Sequence, residues 1–171
     1  MSDRYDYAKD VRTDKQFENN LKIGKHNQKL AIEQFIIDKH IEKGIWYEYL
    51  EQEEETEGAV QYWEFVPDYL LIYQSNIIQV EVKVQMGKLQ DYTDFKSNQI
   101  EYLVKHNGII LYAIKNHYAL IEPKAVKKIN NKVFSDKLNS WCYRIDTDII
   151  NWKRWLHTPE FMNYESKYTK K

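Results

Sequence analysis

Helical and β-forming segments follow one another in the order helix, strands, helix, strands, which predicts an α/β fold with a central mixed β-sheet flanked by helices. Two stretches carry that expectation. Tyr69-Leu70-Leu71-Ile72-Tyr73 and Ile77-Ile78-Gln79-Val80 are apolar runs parted by Gln74-Ser75-Asn76, the pattern of a β-hairpin. Ile109-Ile110-Leu111-Tyr112-Ala113-Ile114 is a near-continuous apolar run, the pattern of a strand covered on both faces. With 171 residues, 43% of them hydrophobic and 15% aromatic, the chain can bury one core of ordinary size, so a single domain over 1–171 is expected.

Residues 1–20 are polar and charged, with isolated Tyr5, Tyr7 and Phe17, and read as a flexible arm or a dimer-contacting segment. Residues 25–43 favour a helix that Gly44 can end as a C-cap. Its apolar positions, Leu30, Ile32, Phe35, Ile36, Ile37 and Ile41, wrap widely, as on a well-covered helix. Ile45-Trp46-Tyr47-Glu48-Tyr49-Leu50 has β-forming residues and reads as a strand. The acidic run 51–57 and Gly58 read as a solvated loop, and 60–65 leads into the hairpin. In the second hairpin strand Gln79, Glu81, Lys83 and Gln85 fall on one face, and Ile78, Val80, Val82 and Val84 on the other.

After a connection over 86–93, Asp94 is a candidate N-cap for a helix running to about Asn107 and closed by Gly108. On it Phe95, Gln99, Tyr102, Leu103 and His106 would share a buried stripe, which places Gln99 where an apolar residue is expected. The run 109–114 follows, and Asn116-His117 turns the chain into Tyr118-Ala119-Leu120-Ile121. Pro123 opens a short basic helix with Lys124, Lys127 and Lys128, a solvated face or a set of phosphate contacts. Trp141-Cys142-Tyr143-Arg144-Ile145 reads as a strand, and Ile149, Trp152, Trp155 and Leu156 as a closing amphipathic helix. Residues 136–171 make a C-terminal extension of the domain.

The formal charge is −1, with the acidic excess before Lys83 and the basic excess after it. The whole chain is not a polycation, yet its second half is compatible with a polyanionic partner. One cysteine, Cys142, excludes an internal disulfide and a cysteine zinc cluster. No apolar stretch approaches a membrane span and no signal-peptide pattern opens the chain, so a cytoplasmic protein without membrane partners is expected.

Asp68 enters at the open end of the hairpin, and Glu81 and Lys83 stand side by side on its second strand. Oxygen ligands without cysteine suit a hard cation such as Mg²⁺ or Mn²⁺. Asp68 and Glu81 are the expected metal ligands, with the Val82 carbonyl between the site residues and Glu33 adding a carboxylate from the first helix. Such an ion acidifies a bound water and offsets charge on a phosphodiester. Lys83 would orient that water or steady the phosphorus centre, and Gln99 would bond the water or Lys83. Each residue also has an ordinary reading: Asp68 as a turn acid, Glu81 and Lys83 as a solvated ion pair, Glu33 paired with Lys29, Gln99 as a satisfied core amide. The register decides between them. Asp68 shares a face with Glu81 if the two lie opposite, and a one-residue slip reverses that.

Pro67-Asp68, thirteen residues, then Glu81-Val82-Lys83 resembles the PD-(D/E)XK nuclease motif, with Glu33 and Gln99 matching its two accessory positions. The run Phe95-Lys96-Ser97-Asn98-Gln99-Ile100-Glu101-Tyr102-Leu103, then Gly108 and the strand after it, looks most like the RecU-type Holliday-junction resolvases. The resemblance implies a restriction-endonuclease-like core, one or two divalent metals, and cleavage of DNA, branched DNA among the substrates. It also implies a place in DNA recombination and repair, and often a homodimer. Two alternatives stand beside it: a catalytically silent nucleic-acid-binding or assembly module on the same fold, and a restriction- or phage-type nuclease of linear DNA.

Overall fold

The computed structural model describes residues 14–52 and 65–164. The acidic run from 53 onward, the segment 60–64 and the N-terminal Tyr5 and Tyr7 lie outside them. The fold is α/β. Its main sheet joins β1 (Glu48–Glu51), β2 (Tyr69–Tyr73), β3 (Asn76–Val84), β5 (Ile109–Ala113), β6 (His117–Ile121) and β9 (Lys153–Arg154), in the order β1-β2-β3-β5-β6-β9. Only the β3–β5 pair is parallel; the others are antiparallel, so the sheet is mixed as expected. A second, antiparallel sheet has the order β4 (Tyr92–Lys96), β8 (Ser140–Asp146), β7 (Lys132–Ser135).

Helix α1 (Asp14–Lys43) covers one face of the main sheet. Its Ala31, Ile32, Phe35 and Ile36 pack with Tyr69, Leu71, Val80, Val82, Leu111 and Ala113. The opposite face is covered by α2 (Ser97–Lys105), α3 (Pro123–Ile129) and the second sheet, through Ile100, Leu103, Val126, Phe95, Tyr143 and Ile145. Strand β5 is therefore buried on both sides: Leu111 and Ala113 belong to the first cluster, Ile110 and Tyr112 to the second. Its unbroken apolar sequence has that cause. In β3, Val80 and Val82 face α1 while Lys83 and Glu81 face the other way, as the alternation requires.

The structure corrects several boundaries. Helix α1 begins at Asp14, so residues 14–20 are helical rather than a loose arm. Its end is as expected: Gly44, at φ +68°, takes a C-terminal hydrogen bond from its N–H to the His40 carbonyl, 2.9 Å. Strand β1 starts at Glu48, and residues 45–47 precede it. Asp94 caps no helix. It lies in β4, opposite Arg144 of β8, and α2 starts three residues later. Thr93 and Phe95 are both buried, a period of two that belongs to a strand. Phe95 consequently leaves the expected helical stripe.

The closing helix is also absent. In its place come a 3₁₀ turn, Thr147–Ile149, and the short strand β9. Trp152 packs with the second cluster and Trp155 with the first, on opposite sides of the sheet, whereas residues three apart on a helix share a side. Each indole N–H is taken up by a backbone carbonyl, Trp152 by Thr147 (3.2 Å) and Trp155 by Ile114 (3.1 Å). Buried side chains of α1 tie down the rest of this segment. Asn27 both donates to and accepts from the Met162 backbone (2.9 and 2.8 Å), and Asp38 accepts the Leu156 N–H (3.1 Å). No helix among the described residues is long and apolar enough to cross a membrane.

Candidate functional site

The hairpin ladder ends with Tyr69 opposite Val80. Asp68 lies in the bend just before this last rung, beside the strand end that carries Glu81 and Lys83. Strand β2 begins at Tyr69, so β3 runs on past it from Glu81 to Val84, flanked there, among the described residues, by β5. Past the end of β2, the backbone of Val82 is met by side chains. Its N–H donates to Asp68 Oδ2 (2.9 Å), and its carbonyl accepts the Gln28 amide of α1 (3.2 Å). Asp68 thus satisfies a backbone donor that lies beyond the end of β2.

Beside this strand end lies a cleft of about 270 Å³. Gly24 and Gln28 of α1, Glu81, Val82 and Lys83 of β3, and Asp94, Lys96 and Gln99 on the far wall are among the residues that line it. Lys83 points its ammonium at the Asp94 backbone carbonyl (3.0 Å), with the Phe95 ring 4.9 Å and the Tyr112 ring 5.6 Å from Nζ. Burial pulls its pKa down to about 8; the nearby Asp94 carboxylate opposes that, and Lys137 adds to it. Asp94 is itself fixed by a two-pronged ion pair with Arg144 (2.8 and 3.0 Å), whose guanidinium stacks on Tyr92. The carbonyl that receives Lys83 is therefore held on a rigid strand pair.

Of the residues singled out from the sequence, Asp68, Glu81, Val82, Lys83 and Gln99 come together around this strand end and its cleft. Glu33 does not join them. It hydrogen-bonds Tyr49 and lines a separate cleft of about 420 Å³ with Ile36, Ile37, Trp46, Tyr47, Glu48 and Tyr49. The α1 side chain that reaches the first cleft is Gln28. Its signal was present in the sequence: Gln28 is one helical turn before Ile32, hence on the covered stripe, where an amide needs a partner. Arg144 carried no local signal, since its role depends on pairing with a strand fifty residues away.

Among the described residues no group of three or more His, Cys, Asp or Glu side chains gathers as a metal cluster. Two half-buried carboxylates at one strand end, next to a backbone carbonyl, still match what Mg²⁺ takes from protein when it keeps several waters. A carboxylate offers about four lone-pair sites, so the bond from Val82 leaves Asp68 able to ligate. The residues fit a hard cation held by few protein ligands. Neither the family models nor the curated proteins searched give a match to this chain.

Proposed function

We propose that this protein is a metal-dependent endonuclease that hydrolyses phosphodiester bonds in DNA, on a restriction-endonuclease-like core of the PD-(D/E)XK type. The observation that supports this reading is the bond from the Val82 N–H to Asp68 Oδ2 (2.9 Å), which holds Asp68 at the strand end where Glu81 and Lys83 line the cleft. Asp68, Glu81 and the Val82 carbonyl would hold Mg²⁺ or Mn²⁺, which when bound acidifies a water and offsets charge on the phosphate. The chain's own groups do the rest. Lys83, screened from solvent and held by the Asp94 carbonyl, presents a positive charge where a pentacovalent phosphorus gathers negative charge. Its pKa near neutrality also suits it to pass a proton to or from the attacking water. Gln99, on the same cleft, offers an amide to orient that water or the phosphate. RecU-like resolution of branched DNA is the finer form of the proposal, supported by the sequence pattern around α2 and β5.

The test is cleavage of four-way junction, flap, linear duplex and single-stranded DNA with Mg²⁺ or Mn²⁺. The unaltered protein is expected to cut at least one of them, and Asp68→Asn, Glu81→Gln and Lys83→Ala are each expected to lose on the order of 10²-fold or more in rate. Chelation should abolish cutting. Binding without cutting of any substrate would replace the enzyme by a silent binding module.

A further inference from the structure

The β7–β8 hairpin carries two large aromatic side chains that the fold leaves in water. Phe134 is 42% and Trp141 57% exposed, although they are directly paired across the strands and meet edge to face at 5.6 Å. They belong to the same side of the second sheet as Tyr143 and Phe95, which are buried in the core. That apolar side therefore runs on beyond its cover. An exposed aromatic pair of this size is a surface that gains by being covered.

Its position says what covers it. Leu138, in the turn of this hairpin, lines the Glu81–Lys83 cleft, and so does Lys96. Trp141 follows that turn directly, three residues after Leu138, while Lys96, paired with Cys142, lies on the other face of the same sheet. The surroundings are cationic: Lys132 and Lys137 are exposed on the hairpin, Lys137 is close enough to Lys83 to help lower its pKa, and the neighbouring Glu101 carboxylate is taken up by Lys127 and Tyr143. A π-surface flanked by ammonium groups matches a nucleic-acid strand, whose phosphates track the charges while a base stacks. A two-fold contact with a second copy fits less well, because it would bring Lys132 and Lys137 against their own equivalents.

We infer that Phe134 and Trp141 form a stacking platform for an unpaired base of a single strand that leads into the cleft. The inference rests on the proposed nuclease reading for its substrate class and adds the form of the strand. It favours substrates with a splayed or unpaired strand beside the scissile phosphate.

The experiment measures binding of a fluorescent oligodeoxythymidylate and of a blunt duplex in chelator, so that no cutting intervenes. Phe134→Ala/Trp141→Ala is expected to weaken single-strand binding about tenfold or more and to leave duplex binding within twofold. Trp141→Phe should retain most of the affinity, and the tryptophan quenching expected in the unaltered protein on adding oligonucleotide should fall in it. Circular dichroism and thermal unfolding verify that the variants fold; if the double variant does not, Trp141→Ser with Phe134 intact takes its place. Single-strand affinity within twofold of the unaltered protein, or quenching that persists in Trp141→Phe, would overturn the platform. So would a loss of self-association in the double variant with DNA affinity unchanged. Failure of the nuclease reading has a different signature: no cleavage of any substrate, whatever the binding results.

Discussion

Lys83 places a charge against two aromatic rings and one carbonyl, with burial as the dominant influence on its proton. The folded protein therefore binds that proton less tightly than the unfolded chain, whose lysine titrates near 10.5. Below about pH 8 both states are protonated and the full cost of burying the ammonium is present. Between that pH and 10.5 the unfolded state holds more protons, so stability rises with pH. In metal-free protein, Lys83→Met is expected to stabilise at pH 7 by roughly 1–2 kcal/mol, with the advantage shrinking above pH 8. Urea unfolding of both proteins across that range checks it; a pH-independent difference would contradict it. The Tyr143 hydroxyl works in the opposite sense. It donates to Glu101 (2.6 Å), which also accepts from Lys127 (2.8 Å), and these bonds hold the Glu101 pKa below its ordinary value. Their contribution is present above about pH 4.5 and is lost as pH falls through the lowered pKa. Tyr143→Phe should cost about 1 kcal/mol at pH 7 and progressively less in acid, by the same unfolding measurement.

Helix α2 and the strand after it meet at Gly108, and here the limit is space. A Cβ on Gly108 would overlap Leu103 Cδ2 and come 3.2 Å from the Gln79 carbonyl oxygen of β3. Gly108→Ala is expected to destabilise by about 1–3 kcal/mol, visible as a lowered Tm, because Leu103 is fully buried and has little room to move. The glycine was legible in the sequence as the end of a helix, while the start of that helix was not. Asp94 has the chemistry of an N-cap, yet Arg144 across the β4–β8 ladder claims its carboxylate, and the helix waits until Ser97. The same kind of distant partner explains the C-terminal segment. Spacings among Ile149, Trp152, Trp155 and Leu156 suit a helix face, but Thr147, Ile114, Asp38 and the two cores draw these residues to opposite sides of the sheet. Local patterns name a segment's preference; contacts from far along the chain decide whether it is honoured.

At the scale of the whole molecule, the main sheet was readable because its strands carry strong periods: the alternation of β3 and the unbroken apolar run of β5 each identify the covering on their faces. The second sheet was not, since its central pairing joins Tyr92–Lys96 to Ser140–Asp146 and neither strand forms a hairpin with the other. That sheet matters for function, because it supplies the wall that receives Lys83 and the hairpin that bears Phe134 and Trp141. Asp68, Glu81, Lys83 and Gln99 were singled out as candidates from the sequence pattern, whereas Gln28 and Arg144 emerged from the fold, and Glu33 lies with Tyr49 instead. What unites the molecule is a strand that outruns its neighbour, leaving two carboxylates and a lysine at its end. Titration of the unaltered protein, Asp68→Asn and Glu81→Gln with Mn²⁺, followed by calorimetry and by the spectrum of free Mn²⁺, interrogates that arrangement without relying on any substrate. The expected result is saturable binding in the unaltered protein that weakens by on the order of tenfold or more in each variant, with folding intact. Equal Mn²⁺ binding by all three proteins, or none by the unaltered one, would contradict a cation shared between Asp68 and Glu81.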